Sequence, residues 1–85
     1  MPKILLIDDD EKLGDLLGAF FQRFDLDLRV AHDPIKGLAM LGSENPDLVI
    51  LDVMLPGQDG FEVCRKIRKV SAVPIVMLTA RGEVT

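Results

Sequence analysis

Residues 48–60 read Leu48-Val-Ile-Leu-Asp52-Val-Met-Leu-Pro56-Gly-Gln-Asp-Gly60, and this stretch decides the fold. The unbroken apolar run Leu48–Leu51 has the composition of a strand buried on both faces. It ends in a carboxylate, Asp52, after which the chain turns through Pro56, Gly57 and Gly60. An acid at the end of a buried parallel strand lies at the carboxyl edge of an α/β sheet, where such sheets place their sites. On its own Asp52 reads equally well as an ordinary turn residue. A second acidic cluster, at the end of another strand, tips the balance towards a site.

That cluster is Asp8-Asp9-Asp10, which stops the short apolar run Ile4–Ile7. The run has the same character as Leu48–Leu51 and predicts a first buried strand with carboxylates at its tip. From Glu11 to Phe24 the apolar residues Leu13, Leu16, Leu17, Phe20, Phe21 and Phe24 form one helical stripe. Asp9 or Asp10 can cap that helix, and Gly14 and Gly18 fall off the stripe. Leu26, Leu28 and Val30 alternate with polar residues, the pattern of a strand near an edge. Asp33-Pro34 reads as a cap followed by proline in the first helical position. Ile35, Leu38, Ala39 and Leu41 then carry a short second helix that Gly42 is expected to end.

Beyond the loop, Phe61, Val63, Cys64 and Ile67 predict a third helix with Glu62, Arg65, Lys66, Arg68 and Lys69 on its solvated face. Pro74–Leu78 predicts a fourth buried strand, with Thr79 at its tip. Strand and helix alternate throughout. This order implies an α/β fold: a doubly wound parallel sheet with right-handed crossovers and helices on both faces. The two carboxylate-tipped strands would be neighbours at its centre. Nothing follows the fourth strand to cover it, so it is expected to leave an apolar edge.

Bulk properties narrow the function. With 85 residues, 48% hydrophobic and 28% charged, the chain has room for one globular domain. A net charge of −4 gives no electrostatic reason to bind nucleic acid or an anionic membrane. The lone Cys64 excludes an intrachain disulfide and reads as a small core residue. No apolar run approaches the roughly 18 residues of a membrane span, and the first residues carry no signal-peptide pattern. A cytoplasmic domain is the expectation.

If the two strand tips lie side by side, Asp8, Asp9 and Asp52 converge. Three such carboxylates repel one another unless a cation is shared or protons are taken up. Hard oxygen donors in a shallow loop site favour Mg²⁺, or Mn²⁺. An Asp beside the ion can also attack phosphorus as a nucleophile. Thr79 would add a hydroxyl from the next strand tip. Helix capping explains one of the paired acids Asp8 and Asp9, but not both.

Residues Ile4–Asp10 (ILLIDDD), Leu48–Gly60 (LVILDVMLPGQDG) and Pro74–Ala80 (PIVMLTA) resemble the three signature segments of response-regulator receiver domains. The resemblance runs the length of the chain. It implies a flavodoxin-like fold with strand order 2-1-3-4-5, of which 2-1-3-4 is present here. It implies Asp52 as the acceptor of a phosphoryl group from a sensor histidine kinase. Asp9 and Asp52 would bind Mg²⁺ directly, with the backbone carbonyl of Met54 as a further ligand and Asp8 acting mostly through water. Thr79 would be the switch hydroxyl, with Ala80 leaving it room. The wording around Met54–Pro56 and Thr79–Arg81 is similar to receivers that precede a winged-helix DNA-binding domain, so DNA would be reached only through an output domain absent from this chain.

Family members also carry a lysine at the tip of a fifth strand. The five lysines here are Lys3, Lys12, Lys36, Lys66 and Lys69, and none ends a strand. Residues 1–85 are therefore expected to form an incomplete receiver domain, ending before a fourth helix, fifth strand and fifth helix. Such a form is expected to self-associate as a homodimer through its exposed fourth strand and helix faces.

Three other functions compete. A phosphohydrolase similar to the haloacid-dehalogenase type needs a second Asp two residues after its nucleophile, where Met54 stands here. A nucleotide or flavin binder would open its first strand into a glycine-rich loop, not into three acids. A self-associating receiver fragment without phosphotransfer remains open. His32 beside Asp33 reads as a surface turn residue.

Overall fold

The computed structural model describes residues 1–53 and 59–78. The element order is β1 (Lys3–Ile7), α1 (Glu11–Gln22), β2 (Asp27–Ala31), α2 (Pro34–Glu44), β3 (Leu48–Asp52), α3 (Gly60–Val70) and β4 (Ile75–Leu78). The strands form one parallel sheet in the order β2-β1-β3-β4. β1 and β3 are therefore the central pair, as their apolar character predicts. In the register, Ile7 pairs with Ala31 on one side and Leu51 on the other. The next residues of the central strands are Asp8 and Asp52.

Alternation along the strands divides the sheet between two faces. Leu5, Ile7, Ala31, Val49, Leu51 and Met77 point to one side and join Leu41 of α2 and Val63 and Ile67 of α3 in the core. α2 comes close to β1 because Gly37 carries no side chain: a Cβ there would lie 2.6 Å from Ile7 Cδ1. On the other face α1 packs over β2. A Cβ on Gly14 would stand 3.2 Å from Val30, and one on Gly18 would stand 3.8 Å from Leu28.

The helices are capped where carboxylates allow it. Asp10, not Asp9, caps α1, its Oδ1 accepting the amides of Lys12 (2.9 Å) and Leu13 (3.4 Å). Asp33 accepts from Lys36 N–H at 2.8 Å, with Pro34 in the first turn as expected. Asp59 accepts from Phe61 N–H at 2.9 Å and starts α3. Gly60 is fixed by close approach, since a Cβ there would overlap Val53 Cα.

Three local expectations need correction. The packed side of α1 is centred on Gly14, the buried residue of that helix, rather than on the apolar stripe. Half of the stripe is left outside, with Leu16 69%, Phe20 48% and Phe24 61% exposed. α2 does not stop at Gly42; it runs to Glu44 and ends at Asn45, which takes the left-handed conformation with φ 48°. Asn tolerates that region better than most side chains. Ile35 and Phe61 also point away from the core, which α2 reaches through Leu41 and α3 through Val63 and Ile67.

Candidate metal and acceptor site

Parallel pairing of β1 with β3 sets two acidic strand tips side by side. Asp8, Asp9 and Asp52 each offer a carboxylate oxygen, and these atoms lie within 4.8 Å of one another. The three are held differently. Asp8 is buried, at 3% exposure, whereas Asp9 is exposed and Asp52 half-buried. Asp8 N–H extends the β1–β2 ladder by donating to Ala31 O at 3.0 Å. Its Oδ1 accepts Asp10 N–H at 2.8 Å, closing a tight turn into α1. Asp10 serves the helix, Asp8 anchors the turn, and Asp9 is left to face solvent beside Asp52.

Burial pushes the Asp8 carboxyl above the usual carboxylate range, and the negative charges of Asp52, Asp9 and Asp10 push it further. The hydrogen bond from Asp10 N–H opposes both effects without cancelling them. An acid whose folded pKa is raised favours folding when protonated, and that contribution is lost as pH rises through its folded value. In metal-free solution stability is therefore expected to decline, on account of Asp8, as pH climbs above about 4, the ordinary carboxylate range. Asp8→Asn keeps an acceptor for Asp10 N–H and removes the charge. Thermal unfolding in EDTA should show this variant more stable than the wild type at neutral pH and less dependent on pH in that window.

A divalent cation offsets the same repulsion without a proton, and an all-oxygen donor set suits Mg²⁺. The site residues fit such an ion by charge, by donor type and by their spacing. Met54 and Thr79, the other residues expected here, lie outside the described residues, as does Ala80. His32 is exposed, as its turn position implies, but it also reaches the site. Its ring Nδ1 lies 3.2 Å from the Asp8 carbonyl oxygen. The contact spans 24 residues of sequence, and no local pattern announces it.

The family model of the response regulator receiver domain matches residues 4–85. The chain belongs to the response regulator receiver family. Among curated relatives of this receiver, the transcriptional regulatory protein AfsQ1 of Streptomyces coelicolor is 46% identical over 83 residues, covering 98% of this chain and 37% of the relative. The DNA-binding dual master transcriptional regulator RpaA of Synechocystis is 42% identical over 87 residues, covering 99% of this chain and 36% of the relative. The receiver thus spans little more than a third of the curated relatives it matches. Among solved structures, the BeF3-activated N-terminal receiver domain of Klebsiella pneumoniae RstA superimposes with a TM-score of 0.85 at 40% identity. That likeness covers 92% of this chain and 67% of the RstA chain. The receiver is a signalling module by family, and among its described residues no helix is long and apolar enough to cross a membrane.

Proposed function

We propose that the receiver is a Mg²⁺-dependent phosphoacceptor, with Asp52 taking a phosphoryl group from the phosphohistidine of a sensor kinase in the cytoplasm. The observation that carries this function is the convergence of Asp8, Asp9 and Asp52 within 4.8 Å at neighbouring strand tips. A carboxylate oxygen of Asp52 attacks phosphorus. The new P–O bond forms as the P–N bond breaks, and the imidazole nitrogen leaves with the electron pair. Bound Mg²⁺ supplies charge neutralisation for the transferring phosphoryl oxygens. Asp9 and Asp52 would hold the ion directly and Asp8 through water, with the Met54 carbonyl as a further ligand. Thr79 would donate its hydroxyl to the phosphoryl group.

The receiver acts as a switch and not as a turnover enzyme in this proposal. In the whole protein, phosphorylation would regulate transcription through a DNA-binding output of the winged-helix type. The names of AfsQ1 and RpaA as transcriptional regulators support that output. The test is the intact mass of the chain after incubation with Mg²⁺ and acetyl phosphate. One added phosphoryl group, absent when EDTA replaces Mg²⁺, is the expected result. No addition while Mg²⁺ still binds would leave Asp52 without the acceptor role.

A specific observation also favours self-association. The α1 ridge of Leu16, Phe20 and Phe24 is exposed, and among the described residues β4 pairs with β3 alone. A homodimer built through these surfaces would cover both. Light scattering at micromolar concentration separates the cases, since a monodisperse monomer removes the dimer.

A further inference from the structure

We propose that His32 is a positioning residue for the acidic cluster, its ring holding the Asp8–Asp9 peptide so that the Asp9 carboxylate reaches the cation site. This rests on the function proposed above, in which Asp9 is a cation ligand.

The geometry is a clamp on main chain. A carbonyl oxygen only accepts, so the 3.2 Å contact to Asp8 O requires the proton on His32 Nδ1. The neighbouring residue, Ala31, accepts Asp8 N–H at 3.0 Å. Two consecutive residues at the end of β2 thus hold both polar groups of the Asp8 main chain. Asp8 Oδ1 is meanwhile engaged by Asp10 N–H at 2.8 Å.

Asp9 follows from this arrangement. The Asp8 carbonyl and the Asp9 amide belong to one planar unit. Turning that carbonyl away from His32 would rotate the unit and swing the Asp9 side chain away from Asp8 and Asp52. The ring does no core packing. It is exposed and borders a cleft of about 200 Å³ with Glu11, Gly14, Asp15 and Val30. Replacing it therefore opens no internal cavity, and its hydrogen bond can be tested apart from the core.

Outer partners of ligand groups are typically worth about 10- to 100-fold in metal affinity, and a partner acting through main chain belongs at about 10-fold. The experiment is calorimetric Mg²⁺ titration of the full chain and its variants, with folding checked by circular dichroism. His32→Ala is expected to bind Mg²⁺ about 10-fold more weakly. His32→Asn, whose amide donor sits near the place of Nδ1, should recover most of that loss. His32→Gln, whose donor lies further out, should not. Wild-type affinity in His32→Ala overturns the inference, and so does an equal loss in the Asn and Gln variants. That second comparison stands even if His32→Ala fails to fold. Asp9→Asn is measured in parallel. If it binds Mg²⁺ like the wild type, the ligand set itself is wrong; if it loses affinity while His32→Ala keeps it, only the positioning role falls.

Discussion

Asp52→Asn is expected to abolish phosphoryl uptake while leaving the fold in place. The amide oxygen is a poor nucleophile, and its attack on phosphorus would leave no stable acyl phosphate. Mg²⁺ affinity should fall as well, because one of the three converging charges is removed. The fold has reason to survive. Asn is close to Asp in size, and the backbone beyond the strand stays paired, with Val53 N–H donating to Leu78 O at 3.0 Å. The charge of Asp52 is also one of those that push the Asp8 carboxyl upward. In EDTA the variant should therefore unfold at a temperature no lower than the wild type. Intact mass after acetyl phosphate treatment, read beside a thermal melt, checks both halves. Phosphoryl uptake at wild-type level would move the acceptor to another residue.

Leu51→Ala should cost the chain more stability than any change at the site. Leu51 is fully buried, one residue before Asp52, and packs into the core that β3 shares with α2 and α3. Truncating such a leucine costs about 2–5 kcal/mol, the upper part applying where neighbours cannot collapse into the space. The rigid sheet on both sides of β3 leaves little room for collapse. A chain of 85 residues has about 4–13 kcal/mol of total stability. The loss is thus a large share of the whole. At about 4–8 °C per kcal/mol for a domain of this size, the melting temperature should drop by about 8–40 °C. A drop under about 5 °C would mean that the site-bearing strand is not packed as described.

The central features were legible in the sequence because each has a strong local signature. Ile4–Ile7 and Leu48–Leu51 are unbroken apolar runs stopped by acids, and a parallel sheet buries such runs on both faces. Their central placement followed from that burial on both faces, which an edge strand does not have. The orientation of α1 was less legible. Hydropathy counts side chains, and a glycine has none to count; yet Gly14 is the buried residue of this helix, where a Cβ would stand 3.2 Å from Val30 of β2. The end of α2 was misplaced for a related reason, since Gly42 is tolerated within the helix while Asn45 takes the left-handed turn. The partner of the Asp8 carbonyl was invisible because it depends on the β1–β2 register. Pairing Ile7 with Ala31 is what delivers His32 to Asp8.

The position of β1 in the middle of the sheet also governs when the chain can fold. β1 is made first, yet one of its neighbours is β3, which begins at Leu48. Parallel neighbours cannot close by a hairpin and must wait for the intervening helix and loop. As the polypeptide leaves the ribosome, Ile4–Ile7 can gain β2 early but keep one unpaired, apolar edge until β3 emerges. Contacts of such long sequence separation slow folding and lengthen exposure to aggregation. A nascent chain with residues up to Pro46 clear of the ribosome should be a client for chaperones that bind extended apolar segments, and emergence of Leu48–Asp52 should release it.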